Sequence, residues 1–269
     1  MSEQNTNAAP FRVPTCAELM AEGKSPDVLF WVGCAGSFDD RAKRVTKSFA
    51  KILHHAGINF AILGTEELCT GDPAKRAGNE FLFQMMALQN IQILNGYNIR
   101  KIVTACPHGY NTLKNEYPDL GGFFEVIHHS QFLLQLIESG KVKVKDDVFK
   151  EKKVTYHDPC YLGRANNVYE APRELIEKLN IEISEMKRSK EKALCCGAGG
   201  AQMFKEAEPG TKEINIERAE EAIALSPDIV VVACPYCNTM LNDGVKIKEK
   251  QDKITVMDLA EMITKANDL

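Results

Sequence analysis

The sequence predicts an α/β fold in which two copies of one parallel-sheet unit are related by a pseudo-twofold axis. Segments such as KIVTAC and DIVVVAC are apolar at almost every position, as strands are when helices cover both faces of a parallel sheet. Amphipathic helical segments separate these strands along the chain. Four blocks of the first half also recur in the second half in the same order, which indicates a duplicated unit.

The cysteines mark the repeat. The block DVLFWVGC corresponds to KKVTYHDPC, INFAILGTEELC to IEISEMKRSKEKALC, and IRKIVTACP to PDIVVVACP. In a fourth pair, FFEVIHHSQFLLQLIESG and KITVMDLAEMITKAND, a short strand runs into an amphipathic helix. The separation between equivalent cysteines stays at 126 to 128 residues, as two copies of one unit would produce. The equivalent pairs are Cys34 and Cys160, Cys69 and Cys195, and Cys106 and Cys234.

We expect three parts in the chain. Residues 1–26 are polar and are expected to form a disordered leader, in which Cys16 is a bystander. Residues 27–145 form a first cysteine-rich repeat whose motif is degenerate, and residues 146–269 form a second repeat whose motif is complete. Two domains of this size fit a chain of 269 residues.

Each strand of the first repeat is followed by a predicted helix. The segment RAKRVTKSFAKILHHAG has one apolar face and reaches Gly57 where a helix C-terminus is expected. The segment NEFLFQMMALQNIQIL is the next predicted helix, and QFLLQLIESG is the last, with Ser130 as its N-cap and Gly140 just after its end. The first of these apolar faces consists of Val45, Phe49, Ile52 and Leu53.

The second repeat shows the same alternation. YEAPRELIEKLN places Leu175, Ile176 and Leu179 on one helical face, with Pro172 tolerated in the first turn. EINIERAEEAIALS is the helix equivalent to NEFLFQMMALQNIQIL. Strand–helix alternation of this kind makes each unit Rossmann-like.

Composition excludes several classes of function. The formal net charge is −4, which argues against binding to nucleic-acid phosphates. No apolar run reaches the ~20 residues that a membrane helix needs, and neither a signal sequence nor a Gly-x-Gly-x-x-Gly dinucleotide motif is recognisable. The nine cysteines of an unexported, cytoplasmic chain favour metal or redox chemistry over a disulfide framework.

The cysteines of the second repeat are predicted to meet at one edge of the sheet. Cys160 and Cys234 each follow a strand, and loops at the carboxyl ends of parallel strands converge. The vicinal pair Cys195–Cys196 and the segment CPYC, which ends at Cys237, bring the number of thiols to five. Zinc takes four ligands, whereas a multi-iron cluster has more positions to fill. The glycines of GAGG would let backbone N–H groups approach the sulfur atoms.

Two alternatives to a metal site are open for these cysteines. Buried cysteines commonly behave as small hydrophobic residues. A disulfide at the vicinal pair or within CPYC would serve thiol exchange, although Cys160 would then have no role. His157 and Asp158, just before Cys160, either surround the ligands or form a simple turn.

The motifs HDPCYLGR, CCGAGG and CPYC resemble the cysteine-rich (CCG) domain found in heterodisulfide reductase. Similar domains occur in iron–sulfur subunits of glycolate, lactate and anaerobic glycerol-phosphate oxidation, and in electron-transfer-flavoprotein:quinone oxidoreductases. The phrases WVGCAGSFDDRAKR, CTGDPAKRAGNEFLFQ and TLKNEYP look most like the last group. The resemblance covers nearly the whole chain from Val28 onward and includes both repeats.

The resemblance implies a [4Fe–4S] cluster in the second repeat, which in heterodisulfide reductase is non-cubane. The residues that match the family's cysteine pattern are Cys160, Cys195, Cys196, Cys234 and Cys237.

The first repeat departs from this pattern. It keeps Cys34, Cys69 and Cys106, but Thr70 and Gly109 stand at two positions where the second repeat has cysteine. Three alternatives are open: a second cluster with one non-cysteine ligand, a zinc ion bound by three cysteines and the histidine of CPHG, or no metal. Some relatives are thought to carry zinc in this copy.

The function that these motifs imply is that of an iron–sulfur subunit similar to the cysteine-rich subunit of heterodisulfide reductase. It would relay electrons between a flavoprotein donor and a quinone- or disulfide-linked acceptor. Its partners would be ferredoxin-like, flavoprotein or membrane-anchored quinone-reducing subunits, and such a partner would bring the chain to the membrane surface. The alternatives are a zinc-stabilised, non-redox interaction subunit and a metal-free thiol–disulfide reductase.

Overall fold

The computed structural model describes residues 11–145, 147–207 and 209–269, and its strands form two parallel sheets. The first sheet has four strands in the order β2-β1-β3-β4, and the second has three in the order β5-β6-β7. All of the strand pairs are parallel. The strands are β1 (Val28–Trp31), β2 (Phe60–Ala61), β3 (Lys101–Thr104), β4 (Glu125–His128), β5 (Val154–Tyr156), β6 (Ile229–Val232) and β7 (Thr255–Asp258).

The second sheet repeats the order of the first. Its β5, β6 and β7 correspond to β1, β3 and β4, and the place of β2 is taken by a single bridge between Val154 and Ile183. The prediction of two repeated α/β units with parallel sheets is confirmed. The domain boundaries at 26/27 and 145/146 stay a prediction.

Eleven α-helices lie among the described residues and connect or cover these strands. They are α1 (Cys16–Ala21), α2 (Gly33–Phe38), α3 (Asp40–His55), α4 (Asp72–Arg76), α5 (Glu80–Gly96), α6 (Pro107–Asn111), α7 (His129–Glu138), α8 (Glu170–Lys178), α9 (Ile214–Ile223), α10 (Pro235–Ile247) and α11 (Leu259–Ala266).

The predicted apolar faces are buried. All four apolar residues predicted for the buried face of α3 are 2% exposed or less, as are the three predicted for α8 and the turn after it. Gly57 and Gly140 follow the ends of α3 and α7 with positive φ angles of 64° and 71°, as residues just after a helix often do. Period-3.6 patterning therefore identified which surfaces pack on the sheets.

The predicted N-cap of α7 is wrong by two residues. The cap is His128, the last residue of β4, and its ring nitrogen accepts from the backbone N–H of Ser130. Ser130 lies inside the helix and is itself buried beside the His128 ring, 2.8 Å from Nδ1. Histidine ranks low as an N-cap in general, so only the buried surroundings of His128 explain the choice.

The predicted disordered leader is wrong for its C-terminal part. Thr15 caps α1 in a reciprocal capping box with Glu18, and it also pairs with Ile62 beside β2. Cys16 donates its backbone N–H to the carbonyl of Ile62 and is 1% exposed, so it belongs to the core. The polar composition hid this contact because it depends on an edge strand more than forty residues away. The first ten residues of the predicted leader lie outside the described residues.

Polar contacts join the repeats at several places, and two of them hold the sheets' helices together. Arg41 of α3 makes two hydrogen bonds of 2.6 Å to the carboxylate of Glu261 in α11. His129 of α7 lies 3.0 Å from Asp258, and both side chains are fully buried. Asp258 also caps α11 through the backbone N–H of Ala260. The carboxylate of Asp258 therefore caps the N-terminus of a helix of the second repeat and also binds a histidine of the first repeat.

We expect the substitution Asp258→Ala to lower the free energy of unfolding by about 3 kcal/mol, because it removes an N-cap and leaves a buried histidine without its partner. Asp39→Ala is the matched control, since Asp39 caps α3 through Ala42 and, among the described residues, its carboxylate makes no hydrogen bond to the other repeat. The control should cost about 1 kcal/mol. Urea denaturation measures both values, and equal losses would show that the His129 contact contributes nothing.

Candidate metal centre

The cysteines of both repeats lie at the carboxyl ends of strands. Cys34 lies in α2, three residues after β1, and Cys106 caps α6 after β3. Cys160 follows β5 by four residues, and Cys234 caps α10 after β6. Because parallel strands share one carboxyl edge, each sheet delivers its cysteines to a common side, as predicted.

The five thiols of the second repeat form one connected group. The Sγ atoms of Cys160 and Cys195 are 4.0 Å apart, and those of Cys196 and Cys237 are 3.2 Å apart. Cys195 and Cys196 are adjacent in the sequence, and Cys234 caps the helix whose first turn contains Cys237. All nine cysteines of the chain are free thiols. The structure therefore brings together the five residues that the sequence selected, without bridging any of them.

The first turn of α10 supports the CPYC segment. Pro235 occupies the first helical position, where its missing N–H costs nothing. Burial raises the pKa of Cys234, but hydrogen bonds from the Cys237 thiol and from the backbone N–H groups of Cys237 and Tyr236 offset this effect, so the pKa is lowered overall. The N-terminus of α10 therefore directs backbone N–H groups at the Cys234 sulfur.

The turn after the vicinal pair requires glycine. Gly197 has a φ angle of 92°, and a Cβ there would lie 3.2 Å from the Ile214 side chain. Its backbone N–H donates to the Cys195 sulfur at 3.3 Å. This bond and the thiols of Cys160 and Cys196 hold the pKa of Cys195 far below its usual range, with the Cys160 thiol as the main cause. The fold therefore favours the thiolate form of Cys195.

The first repeat brings its three cysteines together in the same way. Cys34, Cys69 and Cys106 line a cavity of about 20 Å³, together with His108. Donation by the Cys69 thiol lowers the pKa of Cys34 to about 6. The hydroxyl of Tyr236, which belongs to the CPYC segment of the second repeat, lies 3.1 Å from the Cys34 sulfur.

His108 links the two groups of cysteines. Its Nδ1 lies 2.9 Å from the carboxylate of Asp72, and both side chains are buried. Its ring packs on Tyr161, next to Cys160, with centroids 4.4 Å apart. Cys106 in turn packs into one buried cluster with cysteines of the second repeat. The two groups are neighbours across the junction of the repeats.

Sequence reasoning missed Glu67, which shapes the loop around Cys34. Its carboxylate accepts from the backbone N–H groups of Val32 at 3.0 Å and Gly33 at 2.5 Å. Burial raises the pKa of Glu67 to about 7 in spite of these two bonds. The only signal in the sequence is an acidic residue two positions before a candidate ligand, which is too common to select it.

A sequence model of the cysteine-rich domain (CCG) family matches residues 28–114 and 154–242, one match in each repeat. This chain belongs to the cysteine-rich (CCG) domain family. Both matches include the cysteines at the strand ends described above.

Three proteins similar to this chain are named as oxidoreductases or as a reductase subunit. It is 46% identical over 255 residues to the probable iron-sulfur-binding oxidoreductase FadF of Bacillus subtilis, an alignment covering 94% of this chain and 36% of the relative. It is 43% identical over 254 residues to the EtfAB:quinone oxidoreductase of Syntrophomonas wolfei, covering 92% and 35%. It is 34% identical over 251 residues to a subunit of the dihydromethanophenazine:CoB–CoM heterodisulfide reductase of Methanosarcina barkeri, covering 89% and 59%. The chain thus spans about a third of the length of the first two relatives.

Within the ranges that the structure describes, every helix is too short or too polar to cross a bilayer.

We expect Glu67→Ala to lower the free energy of unfolding by about 1 to 3 kcal/mol, because two partly buried N–H groups lose their acceptor. Glu66→Ala is the matched control: this neighbouring side chain is exposed, and in the part of the chain that the structure describes its carboxylate accepts one hydrogen bond, from the hydroxyl of Tyr97. The control should change stability by less than about 0.5 kcal/mol. Urea denaturation of the two variants checks the difference, and similar values would show that Glu67 does not hold the loop.

Proposed function

We propose that this chain is the iron–sulfur electron-transfer part of an oxidoreductase complex, similar to the cysteine-rich subunits of heterodisulfide reductase. The observation that supports this proposal most is the connected group of five free thiols at one edge of the second sheet. Five sulfur donors exceed the four that a structural zinc site uses. Relatives named as iron–sulfur oxidoreductases support the same class.

The proposed ligands of a [4Fe–4S] cluster are Cys160, Cys195, Cys196, Cys234 and Cys237. When bound, such a cluster accepts and donates single electrons. Three features fit it: a thiolate stabilised at Cys195, backbone N–H groups directed at two of the sulfur atoms, and the burial of three of the five thiols. Backbone donors to sulfur and exclusion of water are the means by which proteins adjust cluster potentials.

In the first repeat we propose a single zinc ion bound by Cys34, Cys69, Cys106 and His108. The cavity of about 20 Å³ has room for one ion or water molecule. Asp72 at His108 Nδ1 leaves Nε2 for a metal, in the carboxylate–histidine–zinc arrangement that many zinc sites use. This ion would join the loops of the first repeat without redox chemistry.

The redox partners are proposed to be a flavoprotein donor and a quinone- or disulfide-linked acceptor, with ferredoxin-like or membrane-anchored quinone-reducing subunits in the same complex. The relatives' names support this proposal, as do their lengths, since about two thirds of each of the first two relatives lies outside the match. The chain would act in the cytoplasm and reach the membrane surface through such a partner.

The outer face of α5 is the surface on which we propose that the flavoprotein docks. Phe81, Met85 and Leu88 are 76%, 45% and 52% exposed, and Glu80 is the only charged residue in this helix. Asn90 of the same helix donates to the carbonyl of Cys69, which places α5 beside the candidate centre. An exposed apolar helix face of this kind commonly marks a protein interface.

We expect the anaerobically purified chain to be brown, with iron and acid-labile sulfide in a ratio near that of one [4Fe–4S] cluster, and to hold one zinc ion. Cys196→Ala and Cys237→Ala should lose the iron and keep the zinc, whereas Cys69→Ala should lose the zinc and keep the iron. Cys16→Ala is the control, because this buried thiol lies in the core away from both groups. Elemental analysis of the four variants measures these losses.

The same preparation distinguishes the alternatives. A colourless protein with zinc alone would support an interaction subunit without redox chemistry. A metal-free protein in which Cys237→Ser accumulates a mixed disulfide would support a thiol–disulfide reductase. Either result contradicts the proposed electron-transfer role.

We expect the double variant Phe81→Glu/Leu88→Glu to weaken reduction of the cluster by an electron-transferring flavoprotein, because two carboxylates would be desolvated in the interface. The apparent Kd should rise about tenfold or more, as when apolar contacts at the centre of an interface are lost. Ile247→Glu, at an exposed position on α10, is the control. Stopped-flow absorbance with reduced EtfAB measures the change, and equal effects of the double variant and the control would contradict docking on α5.

A further inference from the structure

His157 is a fully buried residue at the end of β5, next to the thiols of the second repeat. One of its ring nitrogens and the Sγ atoms of Cys196 and Cys237 all lie within 4.8 Å of one another. By distance alone this residue could be a sixth ligand or a hydrogen-bond donor. The two roles require different tautomers, because a ligand nitrogen needs its lone pair and a donor nitrogen needs its hydrogen.

The hydrogen bond from Arg218 determines which tautomer His157 adopts. Its Nε–H donates to His157 Nδ1 at 3.0 Å. A guanidinium has five donors and no acceptor, so His157 Nδ1 must supply the lone pair in this bond. The hydrogen of the neutral ring is therefore on Nε2, and Nε2 has no lone pair to offer a metal.

The position of Arg218 is itself tightly constrained. Its side chain is fully buried, and Nη1 donates to the carbonyl of Arg188 at 2.8 Å and to Glu221 at 3.1 Å. Burial and the charge of Arg218 lower the pKa of His157 to about 3. Because Nδ1 accepts from Arg218, the imidazole is neutral, and a residue of α9 sets its orientation.

The Nε2–H group of His157 is a buried hydrogen-bond donor without an acceptor among the described residues. A buried donor without an acceptor costs about 1 to 3 kcal/mol, so such groups usually mark a missing partner. The sulfur atoms of Cys196 and Cys237 lie within 4.8 Å of a ring nitrogen of His157, so such a partner would lie beside these thiols.

We propose that His157 is a positioning residue whose Nε2–H donates a hydrogen bond to the sulfur atoms of the bound cluster and raises its reduction potential. This inference rests on the proposed iron–sulfur function. A reduced cluster carries one more negative charge than the oxidised cluster, so a donor to sulfur stabilises the reduced state more. His157 supplies no metal bond, although it lies as close to the thiols as a ligand would.

The chain offers a matched pair of variants. In His157→Asn the amide oxygen stands near the position of Nδ1 and can still accept from Arg218, but nothing reaches the position of Nε2. In His157→Gln the longer side chain places an amide N–H near the position of Nε2. Both variants remove the imidazole, and only the first removes the donor.

The experiment measures the cluster potential of the full chain by a redox titration monitored by electron paramagnetic resonance. We expect His157→Asn to lower the ratio of reduced to oxidised cluster at a fixed potential about tenfold, which is about 59 mV for one electron. We expect His157→Gln to stay close to the wild type. Both should keep the wild-type iron and sulfide content.

Pulsed paramagnetic resonance of the reduced wild type labelled with ¹⁵N-histidine needs no variant. We expect a proton coupling that disappears in D₂O and a weak ¹⁵N coupling. A strong coupling from a directly bound nitrogen, or loss of iron in His157→Asn, would make His157 a ligand and overturn the donor role. Full iron content with equal potentials in all three proteins would overturn this inference alone, whereas a wild type without iron would overturn the proposed function as well.

Discussion

The candidate centre depends on the repulsion among thiolates that are buried close together. Eight cysteines meet where the two repeats join, and an ionised sulfur there raises the cost of ionising the next. In the second repeat, hydrogen bonds from thiols and backbone N–H groups lower the pKa of Cys195 and Cys234 and so offset part of this cost. In the proposed cluster site the remaining thiols would release their protons when the metal binds, so metal binding and proton release would be coupled.

The duplication explains how a single chain can assemble two such groups. Each sheet brings its cysteines to its own carboxyl edge. The two edges are close enough for side chains of one repeat to contact those of the other. Tyr236 of the second repeat contacts Cys34 of the first, and His108 of the first packs on Tyr161 of the second. The buried pair His129 and Asp258 and the ion pair between Arg41 and Glu261 hold the repeats in this arrangement. Loss of the degenerate copy would therefore remove part of the wall around the complete one.

Local patterns in the sequence were sufficient for the strand ends, the apolar helix faces and the group of five cysteines. These features depend on periodicities of two and 3.6 residues and on a spacing that recurs in both halves. The N-cap of α7 and the burial of Cys16 were mispredicted because each depends on a partner from a distant segment. Glu67 and Arg218 escaped notice for the same reason. An acidic or basic residue in a helix or loop is ordinarily solvated, and only the folded structure shows that Arg218 is buried and Glu67 partly buried beside the site.

X-ray absorption at the iron and zinc edges of the anaerobically purified chain tests the central claim most directly. The account predicts an iron environment made only of sulfur, with a second shell of iron from neighbouring atoms of the same cluster, and a separate zinc environment that contains both sulfur and nitrogen. A protein whose only metal is zinc surrounded by four sulfur atoms in the second repeat would contradict the account.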